Sequence, residues 1–407
     1  MKLSYVIVTR NRRDALLQTL VRLEADTGLG RHQWEVFVVD NASEDDSIEA
    51  VTSQFPQTRI ISLTENEGVP ARNHAIAPAS GKYLAFLDDD SYPLPGAIPA
   101  ALSYLSRRTK TAALVARVIL PNGDAEAPAM PAITIGGASI IRRSVLEQVG
   151  GFDPSFIRQA EEYDLSCRIW QAGYRIERFE DICFGHDKVP GGRSSELTRR
   201  MDLRNNLIVV ERYLPRAMRS AYRRDWLERY TLLGLHEGFD DAMKETVREV
   251  RLHARDEARR GRRTIDAAAL EAIFEWESQT KRVAQWSKSA GIRRVAIADV
   301  GKNIFATYRA CRLAGLQIAS VLENHAAFAG GKYRGIPIVP HANADESSFD
   351  GIVLSNINPA QVEKHSQALE SRFKVPTLRL WTPRLLSQIQ SPRRRPELNG
   401  PGSAKAA

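Results

Sequence analysis

Asp88, Asp89 and Asp90 stand in a row after the apolar run Lys82-Tyr83-Leu84-Ala85-Phe86-Leu87 and before Ser91-Tyr92-Pro93. A buried strand is therefore expected to end on concentrated negative charge. Two unit charges ~4 Å apart repel by about 4 kcal/mol at an effective dielectric near 20. A hard divalent ion with oxygen ligands removes that penalty and leaves open positions for a phosphate. For an isolated Asp run the plainer reading is a solvated acidic turn, so the surrounding elements have to decide.

Those elements are short apolar runs that each end on a polar group. Ser4 to Val8 leads into Thr9-Arg10-Asn11 and a helical stretch from Asp14 to Leu23, and Glu35 to Val39 ends at Asp40-Asn41-Ala42-Ser43. Arg59 to Leu63 runs into Glu65-Asn66-Glu67-Gly68, and the fourth run ends on the triple Asp. Strands alternating with helices predict an α/β fold with a parallel sheet, and ligands of open parallel sheets bind beyond the carboxyl ends of the strands. Thr9, Asp40, Asn66 and Asp88 to Asp90 would then share one crevice. Singly, Thr9 reads equally as a helix N-cap, Asp40 as a turn former and Gly68 as a residue with positive φ.

Taken in order, Val8-Thr9-Arg10-Asn11-Arg12, Val38-Val39-Asp40-Asn41-Ala42-Ser43, Asn66-Glu67-Gly68-Val69-Pro70-Ala71-Arg72-Asn73 and Phe86-Leu87-Asp88-Asp89-Asp90 resemble the pattern of glycosyltransferase family 2. The resemblance implies a GT-A fold and a nucleotide-diphosphate sugar as donor. It implies nucleotide contacts at Thr9, Arg10, Asp40, Asn66, Arg72, Asp88 and Asp89, and a Mn2+ or Mg2+ ion on Asp90, with Asp88 as the first acidic position. A second constellation, Gly150-Gly151-Phe152-Asp153 followed by Glu161-Glu162-Tyr163-Asp164-Leu165, resembles the acceptor half of the same family. The usual catalytic base there aligns with Glu162, although Glu stands where Asp is common. His186, after the strand-like run Asp181 to Gly185, is implied as a further metal ligand, for which imidazole is competent.

The chemistry asks for such a carboxylate. An acceptor hydroxyl becomes acidic only as it bonds to the anomeric carbon, so a base within about 2.6–3.2 Å takes the proton in the transition state. Transfer in one displacement needs no covalent intermediate, and the anomeric configuration inverts. The alternative is that Glu161, Glu162 and Asp164 merely complement a helix N-terminus.

The chain has 407 residues and room for two or three domains. We expect a GT-A domain over 1–192, a basic helical region over 193–287, a small Rossmann-like α/β domain over 288–385 and a disordered tail over 386–407. Three scattered cysteines, Cys167, Cys183 and Cys311, fit neither a disulfide framework nor a zinc cluster and suit a reducing cytoplasm. The N-terminus lacks a signal-peptide h-region, and no apolar run reaches the ~18 residues of a transmembrane helix.

Net charge is +8, with arginines from Arg193 to Arg263 interleaved with Tyr213, Tyr222, Trp226 and Tyr230. Such a surface would dock on anionic lipid at the inner face of a membrane. Acids such as Glu211 and Asp225 in the same segment fit an ordinary solvated face equally well, and no nucleic acid is expected. In the last region Asp299-Val300-Gly301-Lys302-Asn303-Ile304 is a defective glycine fingerprint, with Asp299 and Ile304 where glycines belong. A structural or interaction role is expected there rather than a cofactor.

Two functions stand against each other. One is an inverting, metal-dependent glycosyltransferase acting on a glycan or lipid-linked cell-envelope precursor. The other is a catalytically silent nucleotide-sugar-binding or scaffold protein.

Overall fold

The structure is a computed structural model, and it describes residues 1–25, 28–188, 194–260 and 263–390. The polypeptide begins with β1 (Leu3–Thr9), α1 (Arg13–Ala25), β2 (Trp34–Asp40), α2 (Ser47–Gln54), β3 (Arg59–Ser62) and β4 (Tyr83–Asp88). These strands are parallel, with Thr9 in register with Asp40 and Val8 with Asp88. The acids and Thr9 therefore emerge at one edge, as the apolar runs predict. Buried Leu3, Tyr5 and Ile7 face one side of the sheet and Val6 the other, against separate apolar layers.

After β4 the sheet becomes mixed, with β8 antiparallel to β4 and β6 and with β6 parallel to β9. β5 (Ser91–Pro93), α3 (Ala97–Arg107), β6 (Thr111–Ile119), β7 (Ala125–Glu126), β8 (Ser139–Arg142), α4 (Arg143–Val149), α5 (Glu161–Gln171) and β9 (Arg175–His186) complete it. The order is β3-β2-β1-β4-β8-β6-β9-β5, with β7 on β6. Residues 3–186 thus have the mixed α/β architecture expected of a GT-A domain. β5 pairs with the end of β9 through Ser91 and His186, which carries that histidine back to the triple Asp.

Five helices follow: α6 (Ser195–Tyr213), α7 (Arg216–His236), α8 (Asp240–Arg260), α9 (Ala267–Phe274) and α10 (Trp276–Ala290). They do not display the basic aromatic face that the sequence suggests. Tyr213, Tyr222, Trp226 and Tyr230 are all buried in one core with residues of α5 and of the second sheet. Arg212 is buried too, paired with Asp153, Asp164 and Glu257 at 2.7–2.9 Å. The reason is apolar area: large aromatic rings gain more by burial than by lying on a surface, and the arginines that follow them inside find carboxylates.

A second sheet is built from β10 (Arg294–Ala298), α11 (Ile304–Leu313), β11 (Gln317–Leu322), β12 (Lys332–Tyr333), β13 (Ile336–Val339), β14 (Gly351–Leu354), α12 (Val362–Arg372) and β15 (Thr377–Arg379). Its order is β12-β13-β11-β10-β14-β15, parallel except at β12. α10 packs along α11, and Trp286 lies against Gly351, so this unit takes in a helix placed in the preceding region by sequence. The expected tail also starts too early. Leu386–Gln390 forms α13, with Leu386 buried and the Leu386 and Ser387 amides donating to the Asp181 carboxylate at 2.7 and 2.8 Å. Residues 391–407 lie outside the described residues. Among the described residues no helix is long and apolar enough to cross a membrane.

Candidate active site

A cleft of about 1370 Å³ opens at the carboxyl edge of the first sheet. Thr9, Arg10, Asn66, Arg72, Asp88 and His186 line it on the side of β1 and β4, and Glu161, Glu162 and Tyr163 at the start of α5. Sequence motifs far apart in the chain meet here through specific contacts. Asn73 Nδ2 donates to Phe152 O, and Phe152 N–H donates back to Asn73 Oδ1, both at 2.7 Å. A Cβ on Gly151 would lie 2.1 Å from that Asn73 oxygen, so the Gly-Gly-Phe-Asp turn needs glycine for close approach.

The triple Asp divides its labour. Asp88, about a third exposed, accepts from Arg72 Nη2 at 2.6 Å. Asp89 is buried, accepts from Thr9 Oγ1 at 2.9 Å and pairs with Arg12 at 2.9 Å. Burial, with the charges of Asp90 and Asp88, pushes its carboxyl up to about 7 against the pull of Arg12 and Thr9. Asp90 pairs with Arg12 at 2.6 Å and faces His186 Nε2 at 3.1 Å. Burial would raise it, but hydrogen bonds and charge from His186 and Arg12 win and hold it well below the usual carboxylate range. His186 Nδ1 meets Glu126 at 2.9 Å. Burial works against its charge, yet Asp90, Glu126 and Asp88 push the imidazole up to about 9.

Ligand atoms of Asp88, Asp90 and His186 all lie within 4.8 Å of one another. Two carboxylate oxygens and an imidazole nitrogen suit a divalent ion. A metal ion bound there would take the neutral imidazole, so its binding would release any proton that His186 carries. The expected ligand set is therefore assembled by the fold.

The expected nucleotide residues split. Arg10 and Asn66 reach the cleft, as do Arg72 and Asp88. Asp40 does not line it: its Oδ1 caps its own turn by accepting from Ser43 N–H at 3.0 Å. Asp89 is likewise turned inward, and the hydroxyl of Thr9 is committed to it. At the far end, the Glu161 carboxyl is raised well above its usual range by burial and the charge of Glu162, and Glu162 is raised by burial against the nearby Lys302.

Several cleft residues had no role by sequence. Arg12 stood inside a quoted motif yet pairs with two of the three aspartates. Glu126 orients His186 from the short strand β7, where no residue type marked it. Gly137 lies so close that an added Cβ would be 2.7 Å from Asp88 Oδ2, a close approach signalled only by the pair Gly136-Gly137. Lys302 and Asn358 come from the second sheet.

Residues 4–154 match the family described as "Glycosyl transferase family 2", and residues 105–225 match "Glycosyl transferase family group 2". An "Uncharacterized glycosyltransferase YwdF" of Bacillus subtilis is 38% identical over 101 residues, 24% of this chain and 36% of that protein. A "Pre-mycofactocin glycosyltransferase" of Mycobacterium tuberculosis is 32% identical over 141 residues, 29% of each chain. The chain thus spans about a third of the length of these curated relatives. Among solved structures, S. aureus TarS 1-349 in complex with UDP-GlcNAc is 17% identical, with a TM-score of 0.48 over 78% of this chain and 93% of that one.

Proposed function

We propose, for a chain that carries a glycosyltransferase family 2 domain, that it transfers a sugar from a nucleotide-diphosphate donor to an acceptor hydroxyl with inversion. One observation carries the reading: Glu162, Asp88 and His186 line a single cleft at the carboxyl edge of the sheet, and buried Asp90 stands behind them with a ligand atom within 4.8 Å of those of Asp88 and His186. Arg10, Asn66 and Arg72 are placed to meet the donor, with Thr9, Asp40 and Asp89 acting behind them through the turns and pairs they hold. Asp88, Asp90 and His186 would hold Mn2+ or Mg2+, which supplies positive charge to the diphosphate as the leaving group departs. Glu162 takes the proton of the acceptor hydroxyl. Attack and departure occur on opposite faces of the sugar, so one base suffices.

The acceptor class we favour is a saccharide or lipid-linked cell-envelope precursor. One similar protein is described as a poly(ribitol-phosphate) beta-glucosyltransferase, which fits an envelope polymer. Contact with the inner face of a membrane would rest on exposed arginines such as Arg216, Arg223 and Arg224 on α7, since the aromatic residues beside them are core.

The test joins a donor screen to one substitution. Nucleotide-diphosphate sugars with and without Mn2+ are screened by thermal shift, because a ligand that binds only the folded state raises apparent stability. Transfer is then measured with Glu162→Gln, which keeps size and removes basicity. A fall of about 10²–10⁴-fold is expected with donor affinity little changed. Donor binding with no transfer or hydrolysis in the wild type would favour the catalytically silent binding protein instead.

A further inference from the structure

The turn after β10 points its lysine out of its own sheet. Its backbone is clamped from outside: Trp226 Nε1 donates to Lys302 O at 2.6 Å, Arg229 donates to Val300 O, and Asn303 is held between Tyr222 OH at 2.5 Å and Phe274 O at 3.0 Å. The Lys302 side chain then runs toward α5 and α6. Its Nζ donates to Asn206 Oδ1 at 3.0 Å and lies 4.6 Å from the Tyr163 ring centroid, with Tyr230 at 5.7 Å and Trp226 at 6.0 Å. Tyr163 is the residue after Glu162, and Lys302 lines the same cleft as both. The next loop of the second sheet joins in, with Asn358 Nδ2 donating to Ala127 O at 3.3 Å beside Glu126.

We propose that the C-terminal α/β unit is a working part of the active site, in which Lys302 is a positioning residue whose charge, held beside Tyr163 in the shared cleft, favours the ionised form of Glu162 that acts as base. The proposal rests on the reading of Glu162 given above. A carboxylate in this setting needs a partner cation, because burial alone favours its neutral form. The charged and titratable groups around Glu162 are Glu161 and Tyr163 on its own helix, Asp202 on α6, Tyr230 on α7 and Lys302. Lys302 is the cation of this set, and it is the largest influence opposing the upward push of burial on Glu162. The aromatic faces around the ammonium hold it by cation–π attraction and fix its direction. A lysine serving only to pack Tyr163 and Trp226 would have no consequence for the titration of Glu162, and that difference is measurable.

The experiment follows the Glu162 carboxyl by 13C NMR in the full chain labelled with carboxyl-13C glutamate, its resonance assigned by its loss in Glu162→Gln. In Lys302→Gln the titration midpoint should rise by about one pH unit, and Lys302→Arg should return it to the wild-type position. Lys302→Met, which fills the aromatic box without charge, serves as the parallel variant should Gln disturb folding, and should show the same rise. A midpoint unchanged in the uncharged variants overturns the proposal. Where transfer is measurable, the acidic limb of its pH profile should move upward with the midpoint, since the base must be deprotonated to act. A Glu162→Gln enzyme of full activity would remove the base assignment alone, because the NMR midpoint still reports whether Lys302 governs that carboxyl.

Discussion

The parallel parts of the two sheets share a strand order about their first strand, β3-β2-β1-β4 in one and β13-β11-β10-β14 in the other, yet their carboxyl ends treat charge in opposite ways. In the first sheet the acids at the end of β4 are gathered at the edge of a cleft, with Asp88 lining it and Asp89 and Asp90 buried behind, balanced by Arg12, Arg72 and His186. In the second, Asp299 takes the left-handed conformation a glycine would supply, at φ 69°, and its carboxylate meets His365 Nδ1 at 2.7 Å. Glu323, at the end of β11, accepts from Val300 N–H at 2.9 Å and His325 N–H at 2.8 Å. Its acids close the turn. The same topology can thus present a binding edge or consume it, and side-chain partners decide which.

Four substitutions sharpen or break that contrast. Arg212→Ala tests the joint between α5, α6 and α8, because it strips one buried cation from Asp164, which keeps Arg168, and from Glu257, which keeps His253. Removing one member of a buried pair costs about 3–5 kcal/mol, so the denaturant midpoint should fall steeply; a shift of only a few tenths would show that α6 is held by packing alone. Asp90→Asn should abolish stabilisation by Mn2+, which in the wild type would reach about 2.7 kcal/mol at a hundredfold excess over Kd. An undiminished Mn2+ shift in that variant would move the metal site away from the triple Asp.

Gly137→Ala and Gly301→Ala make a matched pair, one at the edge of each sheet. The first sets a methyl 2.7 Å from Asp88 Oδ2 and should cost about 1–3 kcal/mol by overpacking, with weaker Mn2+ binding. The second meets no heavy atom nearer than 3.8 Å, so stability should change by less than about 0.5 kcal/mol. If Gly301→Ala instead abolished binding of a dinucleotide by the purified protein, the second sheet would be a cofactor site after all, and the contrast would fail.

Much of the first sheet was legible because its signals are local. A run such as Tyr83 to Leu87 buries itself whatever its neighbours do, and the polar residue that follows must emerge at the sheet edge. The order of such runs predicted the parallel strands, and the motif at Asp88 to Asp90 pointed to the ligand set with His186. The basic helices misled because interleaved arginine and aromatic residues look alike on a surface and in a core. Only the carboxylates that meet Arg212, drawn from Asp153, Asp164 and Glu257, show which case holds.

By itself the sequence determined where strands end and which acids stand there, since alternation and apolar length act over a few residues. Tertiary structure alone decided which of those acids face the cleft. Asp40 and Asp89 turn inward because a backbone amide, a threonine hydroxyl and Arg12 are within reach, while Asp88 stays at the opening. It also decided that Lys302, 96 residues beyond the Asn206 it touches, stands near Glu162. No local pattern encodes that meeting, which depends on how α7 seats the second sheet against the first through buried rings whose packing is non-directional and blind to sequence distance.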